Sequence, residues 1–131
     1  MVDKCDLTGV WYGRYEADHW DEKNGFIAVL EESGGAVTGT ITERDTTGAV
    51  DVRRADVAGR RTGARVRFVK RYDGSGGYDH AVVYRGIVDD EGREIAGVWR
   101  LEWGRGRFVM ERETFTAEAL EEEAEEELTL R

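Results

Sequence analysis

Apolar and polar residues alternate with period two from Thr8 to Glu113, broken by short clusters of Gly, Asp, Asn and Ser. Side chains of an extended strand point to opposite faces in turn, so this pattern specifies half-buried strands. Eight strands are predicted, over residues 8–17, 25–32, 35–44, 49–58, 63–72, 79–88, 93–102 and 105–113. Ser33-Gly34-Gly35, Gly59-Arg60-Arg61-Thr62-Gly63, Asp89-Asp90-Glu91-Gly92 and Gly104-Arg105-Gly106 read as turns. Consecutive strands with short links form an up-and-down meander. Eight twisted strands lose both edges by closing on themselves. An open sandwich needs longer crossovers, and the longest irregular stretches are residues 18–24 and 73–78. The expected fold class is all-β: an eight-stranded antiparallel up-and-down barrel.

Trp11 lies on the first strand and Arg112 on the last. The indole is expected to cover one end of the barrel. The guanidinium can stack on its face and reach nearby carbonyls. A chain of 131 residues suggests one domain. Seventeen Gly and no Pro fit Gly-rich hairpins and strand bends. Cys5 is the single cysteine, so no intrachain disulfide can form. The start of the chain does not resemble a signal peptide, and no stretch approaches the roughly 20 apolar residues of a membrane span. A cytoplasmic protein with no membrane partner is expected.

The formal net charge is −9. Seven glutamates between Glu118 and Glu127 supply most of it, and without them the body is close to −2. An acidic average surface argues against nucleic acid as a partner. From Thr114 the alternation stops. Thr116 can cap a helix, but uncompensated Glu at helical spacing repels. The expected division is a barrel domain over 1–113 and an acidic helical or disordered tail over 114–131.

Taking Trp11 and Trp99 as inward sets the parity of the strands. Tyr15, Val37, Ile41, Glu43, Phe68, Lys70, Tyr72, His80 and Tyr84 then face the lumen. So do Trp103, Phe108 and Met110. One end of this lumen is apolar. The other gathers Glu43, Lys70, Tyr72 and His80, with Tyr15 and Tyr84 nearby. Aromatic walls with a few convergent polar groups are what a small-molecule site requires. An inward charge needs a partner or water, which makes Lys70 the most informative residue. The candidate ligand-binding set is Tyr15, Glu43, Lys70, Tyr72, His80, Tyr84 and Trp99, and an anionic or carbonyl group suits Lys70 and His80. The alternative is that Glu43 and Lys70 pair and the aromatics fill the core.

No metal-spaced cluster of His, Cys, Asp and Glu occurs, and no cofactor is expected. His19 lies in the first long loop. His80 has the ordinary pKa range of a general base, but no catalytic residue is assigned. Asp73-Gly74-Ser75-Gly76-Gly77 lacks the Gly-Lys-Ser/Thr end of a phosphate loop and reads as a flexible hairpin beside Tyr78 and His80. Ser75 has no base and acid in triad order. Arg53, Arg65, Arg67 and Arg71 are expected on the outer face of the fourth and fifth strands, with Arg54, Arg60 and Arg61 close by. The acidic tail, an anionic partner or a neighbouring subunit could meet that patch. Nucleic acid suits it poorly, because no aromatics interleave.

Cys5-Asp6-Leu7-Thr8-Gly9-Val10-Trp11, Ala36-Val37-Thr38-Gly39-Thr40 and Tyr84-Arg85-Gly86-Ile87-Val88 with Gly92 and Ile95 to Trp99 resemble strands of the calycin superfamily, and within it the avidin/streptavidin group. The resemblance spans residues 5–113 and implies a barrel. It also implies an Asn after the first Trp, a Tyr after Gly-Thr and a Trp on the fifth strand for biotin. Here Gly13, Ile41 and Lys70 stand in those places, and Trp99 alone fits. The Gly-x-Trp-x-Gly opening also resembles nitrobindin-like haem barrels, which implies a proximal His near the C-terminus. None follows His80.

The leading expectation is a non-enzymatic barrel that holds a small, partly apolar or anionic molecule in its lumen. The alternatives are an interaction module with a filled core, acting through its outer sheet or its tail or as a homodimer, and a cyclase- or isomerase-type enzyme that moves a proton with His80 or Glu43.

Overall fold

A computed structural model describes residues 3–21, 23–44 and 52–112. The strands are β1 (Gly9–Ala17), β2 (Lys23–Ser33), β3 (Ala36–Arg44), β4 (Val52–Thr62), β5 (Arg65–Tyr72), β6 (Ala81–Val88), β7 (Glu94–Leu101) and β8 (Gly104–Glu111). Each pairs antiparallel with the next, and β8 pairs back onto β1 from Tyr12↔Glu111 to Ala17↔Gly106. The all-β, eight-stranded, up-and-down closed barrel expected from the alternation is therefore the observed fold. The expected tail over 114–131 and residues 49–51 of the predicted fourth strand lie outside the described residues. Among the described residues no helix is long and apolar enough to cross a membrane.

Two turn positions differ from expectation, and for one reason. Gly59 does not begin a reversal: β4 runs on to Thr62, and the chain turns at Gly63-Ala64, with Gly63 at φ +62°. A Cβ on Gly59 would lie 2.5 Å from the Phe68 Cα, so this glycine lets β4 and β5 approach closely. Likewise Gly104 and Gly106 sit inside β8, and the turn is Glu102-Trp103. Gly104 leaves room for the Trp20 indole, and a Cβ on Gly106 would lie 2.6 Å from Trp99. Glycine here serves packing rather than turning. The same shift moves Trp103, expected in the lumen, to the turn, where it is 61% exposed.

The two ends of the barrel are unlike. At one end Trp11 is fully buried and donates its indole N–H to the Leu7 carbonyl at 2.9 Å. The Arg112 guanidinium lies 4.4 Å from the Trp11 ring centroid. It donates to the carbonyls of Gly92 (2.8 Å), Thr8 (3.0 Å), Asp6 (2.6 Å) and Lys4 (3.3 Å). A planar five-donor group is suited to this, since it satisfies several carbonyls while its face stays on the indole. Arg61 fastens the same N-terminal segment, holding Glu32 at 2.5 Å and Asp3 at 2.6 Å. Glu32 in turn accepts the Leu7 backbone N–H at 3.2 Å. Beneath this plug the lumen is filled by Leu30, Ile41, Phe68, Ile95, Phe108 and Met110, all buried.

Replacing Arg112 with Met removes these charge-assisted bonds and keeps the aliphatic stem. A loss of about 1.5–3 kcal/mol in urea unfolding is expected, with the barrel's circular dichroism retained. An unchanged midpoint would show that water replaces the guanidinium without cost.

Candidate functional site

The opposite end is where β1, β5 and β7 finish and β2, β6 and β8 begin. Strand alternation aims Glu43 of β3, Arg53 of β4, and Lys70 and Tyr72 of β5 inward there. Register puts Glu43 directly opposite Arg53. Arg53, expected on the outer face, is 3% exposed and belongs to the interior. The strand pattern had placed it one residue out of phase.

Glu43 is the hub of a buried polar cluster. Its carboxylate accepts from the Tyr72 hydroxyl at 2.5 Å, the Tyr15 hydroxyl at 3.3 Å and Lys70 Nζ at 3.4 Å. Arg53 Nε stands 3.1 Å from the same carboxylate. Lys70 is 1% exposed and also donates to the Tyr84 hydroxyl at 2.9 Å. Its ammonium lies 4.6–5.1 Å from the ring centroids of Tyr72, Tyr15 and Tyr84, an aromatic cage closed by the protein's own cation. Asn24 adds a further donor to Tyr15 at 3.4 Å.

Among the described residues, Lys70 and Arg53 both reach the Glu43 carboxylate. Arg53 Nη2 is buried without a hydrogen-bond partner among the described residues. The Tyr78 ring, 4.3 Å from the Arg53 guanidinium carbon, covers it instead. The loop that carries Tyr78 has a 3-10 turn at Ser75–Gly77, where Gly76 at φ +63° packs on the Arg53 stem. Ser75 Oγ accepts the Arg54 backbone N–H at 2.7 Å and bonds Asp73 at 2.5 Å, so the hydroxyl tethers the loop to β4. Burial opposes the charge of Arg53, yet Glu43 and then the nearby tyrosines hold its pKa above the ordinary value. Burial, followed by the Glu43 charge, pushes the Tyr72 phenol far above its ordinary range, so it remains a donor.

Above this cluster lies a cavity of about 330 Å³. Lys70, Val82 and Tyr84 form its floor. One wall is Tyr72, Tyr78, His80 and Trp103, with His80 4.8, 5.3 and 5.1 Å from the other three ring centroids. The other wall is Tyr15, Trp99 and Trp20, in which Trp99 meets both rings edge-on at 6.1 Å. Trp99 is held by donation from its indole N–H to the Glu16 carbonyl at 3.2 Å. Six of the seven residues expected to bind ligand, namely Tyr15, Lys70, Tyr72, His80, Tyr84 and Trp99, line this space. Glu43 does not; it stands behind Lys70 and Tyr72 as their anchor. Trp20, Tyr78 and Trp103 were not in the expected set. They sit in connections, where alternation carries no information, and their aromatic identity was the available signal.

His80 is set for one state. Burial, then the Lys70 charge, holds its pKa below the ordinary 6.5. Unfolded chains therefore bind the proton first as pH falls through 6.5, and that proton costs stability until the folded imidazole also titrates. His19 is exposed in the loop after β1 and takes no part. No group of three metal-ligating side chains occurs among the described residues.

Glu43→Gln would take the shared carboxylate from Lys70 and Arg53. Urea unfolding should show a loss of about 3–5 kcal/mol. A loss below 1 kcal/mol would mean that water already screens the cluster. His80→Gln should flatten the fall in stability between pH 7 and 5; an unaltered slope would place that proton elsewhere.

No protein-family model matches the chain, and no curated protein is significantly similar to it. Among solved structures, a de novo designed fluorescence-activating β-barrel superposes with a TM-score of 0.59 at 13% identity, covering 86% of this chain and all of the designed one. At that identity the likeness shows the barrel fold alone.

Proposed function

We propose that the open end of the barrel binds a small planar anion, its ring between the two aromatic walls and its charge directed to Lys70 and His80. The observation that carries this reading is the placing of two basic side chains on an aromatic-walled cavity. Lys70 and His80 both line it, among Tyr15, Tyr72, Tyr78, Tyr84 and Trp99. An entering carboxylate or similar anion meets their charge there. The rings contribute apolar contact and set a flat shape. The volume lies within the range of about 300–1,000 Å³ common for small-molecule sites. The designed barrel of like architecture is described as fluorescence-activating, which supports a binding use for such a lumen. The avidin-like resemblance supports the same use, but Gly13, Ile41 and Lys70 give it a different ligand from biotin.

Binding an anion beside His80 favours the imidazolium. Affinity should therefore rise as pH falls from 7 toward 5, with proton uptake on binding. A titration with 2-naphthoate, followed by the fluorescence of Trp20, Trp99 and Trp103, is expected to saturate. Neutral 2-naphthamide should bind at least about tenfold more weakly, a difference of ~1.4 kcal/mol. Lys70→Met should remove that preference while the far-ultraviolet spectrum stays that of a barrel. Equal affinities for acid and amide would overturn the anionic part of the reading. Absence of binding by both would overturn the use of the lumen.

A further inference from the structure

The outer face of β4 to β8 carries arginines in adjoining positions. Arg60, Arg65, Arg67, Arg85, Arg100, Arg105 and Arg107 are all exposed. Register stacks several of them directly across strands: Arg60↔Arg67, Arg67↔Arg85 and Arg100↔Arg105. Like charges placed directly opposite destabilise a sheet. None of these seven guanidiniums forms an ion pair with a described residue. Among them lies a groove of about 630 Å³ whose floor holds Ile87 and Val98, each 54% exposed. The surface is thus both cationic and apolar; Glu16 stands opposite Arg107 in the register, but none of the seven is ion-paired among the described residues.

The chain holds a segment of opposite character. Residues 118–127 carry seven glutamates and Leu120, with Leu128 and Leu130 just beyond. Its point of departure suits the groove. β8 ends at Glu111, opposite Glu94 at the start of β7. The outward residues Ala96 and Ile87, one strand pair further along, begin the groove on that side. From Arg112 to Glu118 an extended chain spans roughly 20 Å. Crossing from β8 to β4 needs four strand spacings of about 4.8 Å. The near rows on β7 and β6 lie only one or two spacings from β8, which leaves residues 113–117 length for a reversal, and the ten residues 118–127 are long enough to continue to β4.

We infer that residues 118–127 dock on the arginine face of β4 to β8 of their own chain, glutamates against the stacked guanidiniums and leucines against Ile87 and Val98. The occupant is this segment rather than an outside polyanion because it matches the face in charge and apolar content and is tethered beside it. The tether keeps its effective concentration high. This inference is independent of the lumen's ligand.

The test is paramagnetic broadening in the full chain carrying Cys5→Ser and Ala124→Cys, with a nitroxide on residue 124. At low salt the amide signals of Ile87, Ala96 and Val98 should be lost, while those of Asp73 and Gly74 at the opposite end persist. In 1 M NaCl, where the screening length is about 3 Å, the lost signals should return. The double variant Arg67→Glu, Arg85→Glu should also restore them in a barrel whose other resonances are unmoved. Equal broadening at both ends, or none, would overturn the inference. Broadening of an unlabelled copy mixed with a spin-labelled one would overturn it too, by giving the segment to a neighbouring chain.

Discussion

Closure of β8 onto β1 is the constraint on which the rest of this molecule depends. Once the sheet is a ring, every second residue must share one interior of fixed width. Large side chains fill that interior from the Trp11 end as far as Phe68, Tyr84 and Phe108, whose rings stack or meet edge-on at 4.8–6.3 Å. Where this stack stops, the interior holds polar groups that need one another. The cavity exists because Lys70 spends its length reaching Glu43 and Tyr84 rather than filling the mouth.

A buried carboxylate and two buried cations cost desolvation that their attraction must offset. Residues of similar volume and no charge would make a sounder core. The cluster does, however, fix the rotamers of Tyr15, Tyr72 and Lys70 through one hub. That gives the aromatic walls a single arrangement, the kind of preorganisation that lowers the entropic cost of taking up a ligand.

Much of this was legible in the residues. Alternation determines which side chains face inward wherever the strand is regular, so Tyr15, Glu43, Lys70, Tyr72, Tyr84 and Trp99 could be grouped without coordinates. Glycine misled in two places. A glycine needed for close strand approach at Gly59, or for ring packing at Gly104 and Gly106, has the same letter as one needed for a turn. Arg53 was misplaced because its strand was read through a segment with few apolar markers, and a single-residue slip reverses the face. The rim residues Trp20, Tyr78 and Trp103 lie in connections, where no period exists to be read.

Arg112 also bears on how the barrel comes into being. Its bonds to the carbonyls of Lys4, Asp6 and Thr8 link residues 104 to 108 positions apart. The N-terminal segment, which Arg61 and Glu32 already hold, therefore lacks its Arg112 bonds, and the Trp11 plug its cover, until the last strand exists. Contacts of such long range slow folding, because loop closure precedes the reward. On a ribosome, β1 must wait with an unpaired edge for nearly the whole of synthesis. Its outward Val10 and Tyr12, exposed even in the finished barrel, are then open to any other strand that arrives first.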